Sequence, residues 1–338
     1  MTNEPRRILT IIVPAYNMER CLADNLKTYV SPMLTGKISV IVLDNSSSDN
    51  TLAIARSFED RYPDVFRVIT KENNGYGSSV NMGMTLADGK YFKVIDADDF
   101  ADTAALVQFV NHLNGCEADV VQTPYNLIDI KTGDRKKIPL SPPFETTDKI
   151  SCIINQSPFP SLHTTTLRTD FVKDHPFSLL ENAYYVDEEL ALYPFFWAKT
   201  VCSFDDSVYC YVVNNDAQST SVKNKVKNRE HRERIVKRMM DSLSSSDFTN
   251  DNYEFCSRRV ARSVGDHFTT LYVLNSDKKN GRREAKMLSD YLKEHHPHFY
   301  QATKKKRLLL CILNLLHVSI PIYERLKKTL GYKEYSSL

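Results

Sequence analysis

The run Ile8-Leu9-Thr10-Ile11-Ile12-Val13 is apolar, largely β-branched and halted by Pro14, the pattern of a strand buried on both faces. Similar runs recur at Ile38–Leu43, Val65–Thr70 and Tyr91–Ile95. Between them lie segments that read as helices, over about 18–30, 51–61 and 78–87, the last stopped near Gly89. A further helix is expected over 101–113, then a long strand over 119–130 with a turn at Thr132-Gly133-Asp134. Strand alternating with helix predicts an α/β fold with a doubly wound, mostly parallel sheet. In such sheets ligands bind beyond the carboxyl ends of the strands.

The pattern loosens past Leu140, where Ser141-Pro142-Pro143 marks a connection. A strand is expected over 162–167, a short helix over 187–198 and paired strands over 201–213. From about Val222 the chain reads as helical and basic. A length of 338 residues also suits one large domain with an appendage. The expected division is 1–221, with halves of about 1–130 and 131–221, and a helical C-terminal extension over 222–338.

With 44 basic against 42 acidic residues, net charge gives no reason to expect a nucleic-acid partner. Seven scattered cysteines without a CxxC pair argue against a disulfide framework or zinc knuckle, and make a reducing cytoplasm the simplest setting. Arg6-Arg7 before the first apolar run imitates a signal peptide, but that run is too short.

Polar clusters follow three of the strands. Asp96-Ala97-Asp98-Asp99 packs three carboxylates into four residues, which repel unless a cation or strong donors lie nearby. A hard divalent ion shared with substrate phosphates meets that need, and helix capping is the plainer alternative. In Asp44-Asn45-Ser46-Ser47-Ser48-Asp49, capping of the next helix accounts for Asp49 but not for Asp44. Asp44 is either a ligand contact or a turn former. Asn73-Asn74-Gly75-Tyr76-Gly77 opens a helix and is suited either to a phosphate or to an ordinary turn.

Taken in order, Ile11-Ile12-Val13-Pro14-Ala15-Tyr16-Asn17, Val42-Leu43-Asp44-Asn45-Ser46-Ser47-Ser48-Asp49, Asn74-Gly75, Asn81-Met82-Gly83, Ala87-Asp88-Gly89-Lys90-Tyr91 and Ile95-Asp96-Ala97-Asp98-Asp99 resemble the family 2 glycosyltransferases of bacterial cell-surface polysaccharide synthesis, enzymes with the GT-A fold. The resemblance is close over roughly the first 130 residues and loose to about residue 220. It implies a nucleotide-sugar site made by Pro14, Ala15, Tyr16, Asn74, Gly75, Asp96 and Ala97, with Asp44 on the base, often uracil. Asp96 and Asp98 match the family's DxD motif, with Asp98 ligating Mn2+ or Mg2+ and Asp96 touching ribose or the metal's water. Inversion by direct displacement would need one base, which the resemblance puts in Tyr184-Tyr185-Val186-Asp187-Glu188-Glu189-Leu190. Asp187 aligns with the catalytic carboxylate; Val186 replaces the usual acid, and Glu188 is the alternative. Acids that merely complement a helix dipole are the structural reading of the same three residues. Gln218-Ser219 resembles a loop that covers donor or acceptor.

The implied partners are a UDP-sugar type of donor and a glycan or lipid-linked acceptor. Lys304-Lys305-Lys306-Arg307 followed by an uncharged run to Tyr323 predicts either an interfacial membrane helix, at the inner face of the plasma membrane, or a helix closing a core. A catalytically inactive relative and a nucleotide-sugar nucleotidyltransferase are the rival functions. The second expects a glycine-rich loop where Pro14-Ala15-Tyr16-Asn17 stands.

Overall fold

The computed structural model describes residues 7–140, 148–153, 159–213, 221–245 and 250–329. Gln218-Ser219 and Ser141-Pro142-Pro143 lie outside the described residues. The chain divides into two compact units, Met1–Asn215 and Asp216–Leu338.

The first unit is built on β1 (Leu9–Ala15), which is buried along its whole length. It pairs in parallel with β2 (Ile38–Asp44) and β4 (Tyr91–Val94), and β2 pairs in parallel with β3 (Phe66–Thr70). Crossover helices α1 (Leu22–Lys27), α2 (Thr51–Arg61) and α3 (Gly75–Leu86) separate these strands in sequence. Strands covered on both faces are mostly apolar on both, which is why β1 and β2 show no regular polar alternation.

Beyond β4 the sheet continues as β10 (Thr165–Arg168), β6 (Val120–Gln122), β11 (Thr200–Ser203) and β9 (Asp148–Lys149), giving eight strands in the order β3-β2-β1-β4-β10-β6-β11-β9. β10 runs antiparallel to both of its neighbours, so the sheet is mixed at this side. A second sheet has the order β5-β12-β7-β8, from β5 (Phe100–Ala101), β12 (Tyr209–Val213), β7 (Tyr125–Asp129) and β8 (Arg135–Ile138).

Three expectations are corrected by the structure. The long strand over 119–130 is interrupted at Thr123-Pro124, and its halves enter different sheets. Proline has no N–H to donate to a ladder, so the chain changes sheets there. The strands over 201–213 do not pair with each other: β11 joins the first sheet and β12 the second. The helix expected over 187–198 is α6 (Asp187–Leu190) followed by a 3-10 turn at Tyr193–Phe196, with Pro194 at its start. The other helices here are α4 (Thr103–Gly115) and α5 (Thr169–Asp174).

The second unit is helical: α7 (Val222–Lys227), α8 (Arg229–Ser245), α9 (Asn250–Thr269), α10 (Lys278–His295), α11 (Pro297–Ala302), α12 (Lys304–Leu315) and α13 (Ile320–Thr329). Ile235, Val236, Met239 and Met240 of α8 and Phe255, Val260, Val264 and Phe268 of α9 are fully buried and supply much of its core. No helix among the described residues is long and apolar enough to cross a membrane.

Candidate active site

Three loops converge at the carboxyl ends of β1, β2 and β4, and side chains stitch two of them together. Asn17 accepts from Ser48 N at 2.8 Å, Asp49 accepts from Glu19 N at 3.1 Å, and Glu19 accepts from Asn50 N at 3.1 Å. Asp49 also accepts from Thr51 N at 2.9 Å, but the N-cap position of α2 belongs to Asn50. Pro14 and Ala15 end β1 beside Leu43 and Asp44, and Tyr16 stands 46% exposed at the rim. Asp44 is fully buried, and its carboxylate accepts from Ser47 N at 3.3 Å.

The acidic cluster does not cap the helix after it. That cap is Asp102, which accepts from Ala105 N at 2.9 Å. Asp96–Asp99 instead forms a turn, closed by Asp99 N donating to Asp96 O at 3.0 Å. The amide of Asn25 in α1 donates to the carbonyls of Asp96 and Asp99 at 3.0 and 2.9 Å and so holds the turn from behind. Single carboxylate oxygens of Asp96, Asp98 and Asp99 lie within 4.8 Å of one another.

The three acids are treated differently by their surroundings. Asp99 is buried and engaged on both oxygens, by Tyr209 Oη at 2.6 Å and Val212 N at 2.7 Å. Asp96 accepts from Tyr76 Oη at 2.6 Å. The Asp98 carboxylate receives no hydrogen bond from another described residue. Burial, then the charge of Asp98, pushes Asp96 up to about 7 despite the Tyr76 hydrogen bond. Asp98 is raised by burial, and Asp99 is raised by burial and by the charges of Asp98 and Asp96. The cluster therefore holds more negative charge than its own donors compensate, which is the condition a divalent cation relieves. Its oxygen-only donor set suits a divalent cation such as Mn2+ or Mg2+, and Asp99 is turned to the fold.

Behind the cluster, Tyr209 lies over a fully buried lysine, Lys93, whose Nζ is 5.8 Å from the ring centroid. Lys93 donates to His163 O at 2.9 Å and Thr165 O at 3.2 Å, and burial brings its ammonium down to about 7.

Asn74, Gly75 and Tyr76 connect the cluster to the acidic loop of the second half. While Tyr76 bonds Asp96, Asn182 N donates to Asn74 O at 2.9 Å. Gly75 has φ of +81°, and a Cβ there would lie 3.0 Å from Asn182 N. A Cβ on Gly77 would lie 2.3 Å from Leu180 O, so only glycine lets α3 approach this loop. Asn81 completes the clamp, donating to Leu179 O at 3.0 Å and accepting from Leu179 N at 2.8 Å.

The loop so held delivers Asp187 at the head of α6. Asp187 is exposed, and its charge is among the causes that raise Asp96 and Tyr76, so it stands within electrostatic reach of the cluster. Glu188 is half-buried. Glu189 is fully buried, accepting from Leu180 N at 2.7 Å and Tyr193 Oη at 2.8 Å, and braces the loop. Val186 is buried too, so the position where an acid was expected points into the core. Among the described residues, four of the five non-glycine residues with positive φ lie in these loops: Asn17, Ser46, Asn182 and Tyr185. Backbone strain of this kind concentrates where loops are held for function.

Residues 10–175 match the family model described as Glycosyl transferase family 2. The chain carries a family 2 glycosyltransferase domain. Its architecture is the GT-A fold with a helical C-terminal unit. The poly(ribitol-phosphate) beta-N-acetylglucosaminyltransferase TarS of Staphylococcus aureus (strain MW2) is 21% identical over 214 residues, 63% of this chain and 36% of that protein. The crystal structure of S. aureus TarS 1-349 in complex with UDP superposes with a TM-score of 0.64 at 19% identity, covering 98% of this chain and 93% of that one. The mannosyltransferase PcManGT from Pyrobaculum calidifontis, in complex with GDP-Man and Mn2+, gives 0.51 at 13% identity, covering 92% and 87%. The aligned stretches span between 14% and 36% of the length of the first curated relatives.

The residues that sequence reading missed in the glycosyltransferase domain are Asn25, Tyr76, Glu189 and Tyr209. Tyr76 and Glu189 had a signal, since the first sits inside the Gly75-Tyr76-Gly77 turn and the second in the acidic run Asp187-Glu188-Glu189. Asn25 and Tyr209 act on the cluster from elements 71 and 110 residues away.

Proposed function

We propose that the protein transfers a sugar from a UDP-sugar to a hydroxyl of a cell-surface polymer of the polyol-phosphate type, with inversion at the anomeric carbon. The observation that carries the reading is the division of labour in the acidic cluster, with Asp99 tied into the fold and Asp96 and Asp98 left with uncompensated charge. A divalent ion held there would neutralise the donor diphosphate and make it a better leaving group. The donor fits the strand ends: Pro14, Ala15 and Tyr16 on one side of the nucleotide, the buried Asp44 at its base, and Asn74, Gly75 and Ala97 near the phosphates. Asp187 is the base that takes the proton from the acceptor hydroxyl, with Glu188 beside it. The UDP bound to TarS and the polymer named in that enzyme's description support this choice of donor and acceptor.

The test is thermal stabilisation by a panel of nucleotide sugars, with Mn2+ and with EDTA, followed by transfer to poly(ribitol-phosphate). Stabilisation by one UDP-sugar that EDTA removes, together with product formation, is expected. Metal-dependent binding without turnover on any acceptor would point to the inactive relative instead.

A further inference from the structure

Helix α12 carries apolar side chains on both its inward and its outward side. Its inward side carries Leu310 and Leu313 together with Arg307 and Asn314, all buried. Arg307 donates to Tyr300 O at 2.6 Å and to Ser289, and Asn314 donates to Tyr272 O at 2.5 Å. Its outward side carries Leu308, Leu309, Ile312 and Leu315, continued by Leu316 at the C-cap, of which Leu308 is 65% and Leu316 70% exposed. At about 100° per residue these five side chains fall on one arc of about 120°. From Leu308 to Leu316 that arc has no polar residue; Lys305 begins it and Lys304 lies beside it at the amino-terminal end, both exposed. Ile322 and Leu326 of the following helix α13 are exposed as well.

A surface helix of a globular protein puts its leucines inward and its charges outward. Here the polar groups are consumed by the fold, and five large apolar side chains face out with a cationic border. A contiguous apolar surface of this kind marks an interaction site rather than ordinary exposed leucines. Two lysines at its edge select among occupants: they would sit unpaired against a second copy presenting the same lysines, but find counter-charges in phospholipid headgroups. We infer that α12 and the start of α13 dock on an anionic bilayer, lying in its interface with the leucine arc among the acyl chains and Lys304 and Lys305 at the phosphates. The surface lies wholly within the helical unit and is independent of the sugar-transfer reading.

The test is flotation of the full chain with vesicles of phosphatidylcholine, alone or in equal parts with phosphatidylglycerol. Light scattering on the same samples gives the oligomeric state. The protein is expected to float with the mixed vesicles and far less with phosphatidylcholine. Lys304→Gln with Lys305→Gln should weaken binding by about fivefold per lysine and blunt its dependence on salt. Leu308→Glu with Leu316→Glu should abolish flotation and leave the melting temperature within a few degrees, since both side chains are exposed. Flotation that survives the glutamates, or a wild type that never floats, overturns the proposal. So does a dimer that the glutamates convert to monomer, which would make a second copy the occupant. The lysine variant alters only exposed charges and keeps the inference testable if the glutamate variant fails to fold.

Discussion

The hydroxyl of Tyr209 donates to Asp99 Oδ2 at 2.6 Å, and so ties an inner strand of the small sheet to the last carboxylate of the acidic turn. Removing it by Tyr209→Phe leaves a buried carboxylate oxygen short of its donor. The expected cost is about 1–3 kcal/mol of stability, read by denaturant unfolding. Metal-dependent donor binding should weaken but persist, because Asp99 faces the fold.

Asp98→Asn should behave in the opposite way. It removes the carboxylate that no other described residue engages, so stability in EDTA should hold or rise while metal-dependent binding of a UDP-sugar disappears. Calorimetry with Mn2+ present checks this. Unchanged donor affinity would move the metal site away from Asp98.

Asp96 supplies a pH dependence. Its folded pKa, about 7, lies above the usual carboxylate value, so the native state binds a proton more tightly than the unfolded chain does. The associated stability is present at pH 4 and below and is lost as pH rises through about 7. Asp96→Asn should therefore remove a destabilisation, raising the melting temperature in EDTA at pH 8 and not at pH 4. A gain of order 1 kcal/mol, roughly 2–4 °C, is expected. With Mn2+ the order reverses at pH 8, because the wild type gains the ion. Equal melting temperatures of the two proteins at pH 8 in EDTA would contradict the assignment.

Asp187→Asn should leave donor affinity near wild type and reduce turnover by at least about a hundredfold, the usual size of a general-base contribution. Glu188→Gln serves as its comparison and should lose far less. A reversed order would transfer the base to Glu188.

Gly77→Ala tests the clamp between α3 and the loop that carries Asp187. The added methyl would meet the Leu180 carbonyl at 2.3 Å, so backbone must move. A cost of about 1–3 kcal/mol is expected, with a fall in turnover larger than any change in donor affinity. Ala at this position with unaltered turnover would show that the approach does not set the geometry of the acid.

Much of this was legible in the sequence because it is local. Strands β1, β2 and β4 are predominantly apolar runs, and the acidic cluster follows β4 directly. What escaped was long-range. The interruption at Thr123-Pro124 splits one apolar run between two sheets, and period and propensity cannot say which partner each half chooses. The glycines at 75 and 77 read equally as a turn or a phosphate loop; that the loop at 180–183 packs against them depends on chain 100 residues further on. Nor could spacing separate Asp187, Glu188 and Glu189, since it is the fold that buries the last and exposes the first.

The contact between Gly75, Gly77 and the 180–183 loop is made backbone to backbone, so the spacing between the donor half and the acid-bearing half does not depend on which side chains line the cleft. Such a joint rests on few side chains, those of Asn81 and Glu189 among them. A lineage, or an engineer, can therefore exchange pocket residues to recognise a different sugar or polymer while the separation between the DxD carboxylates and Asp187 stays the same.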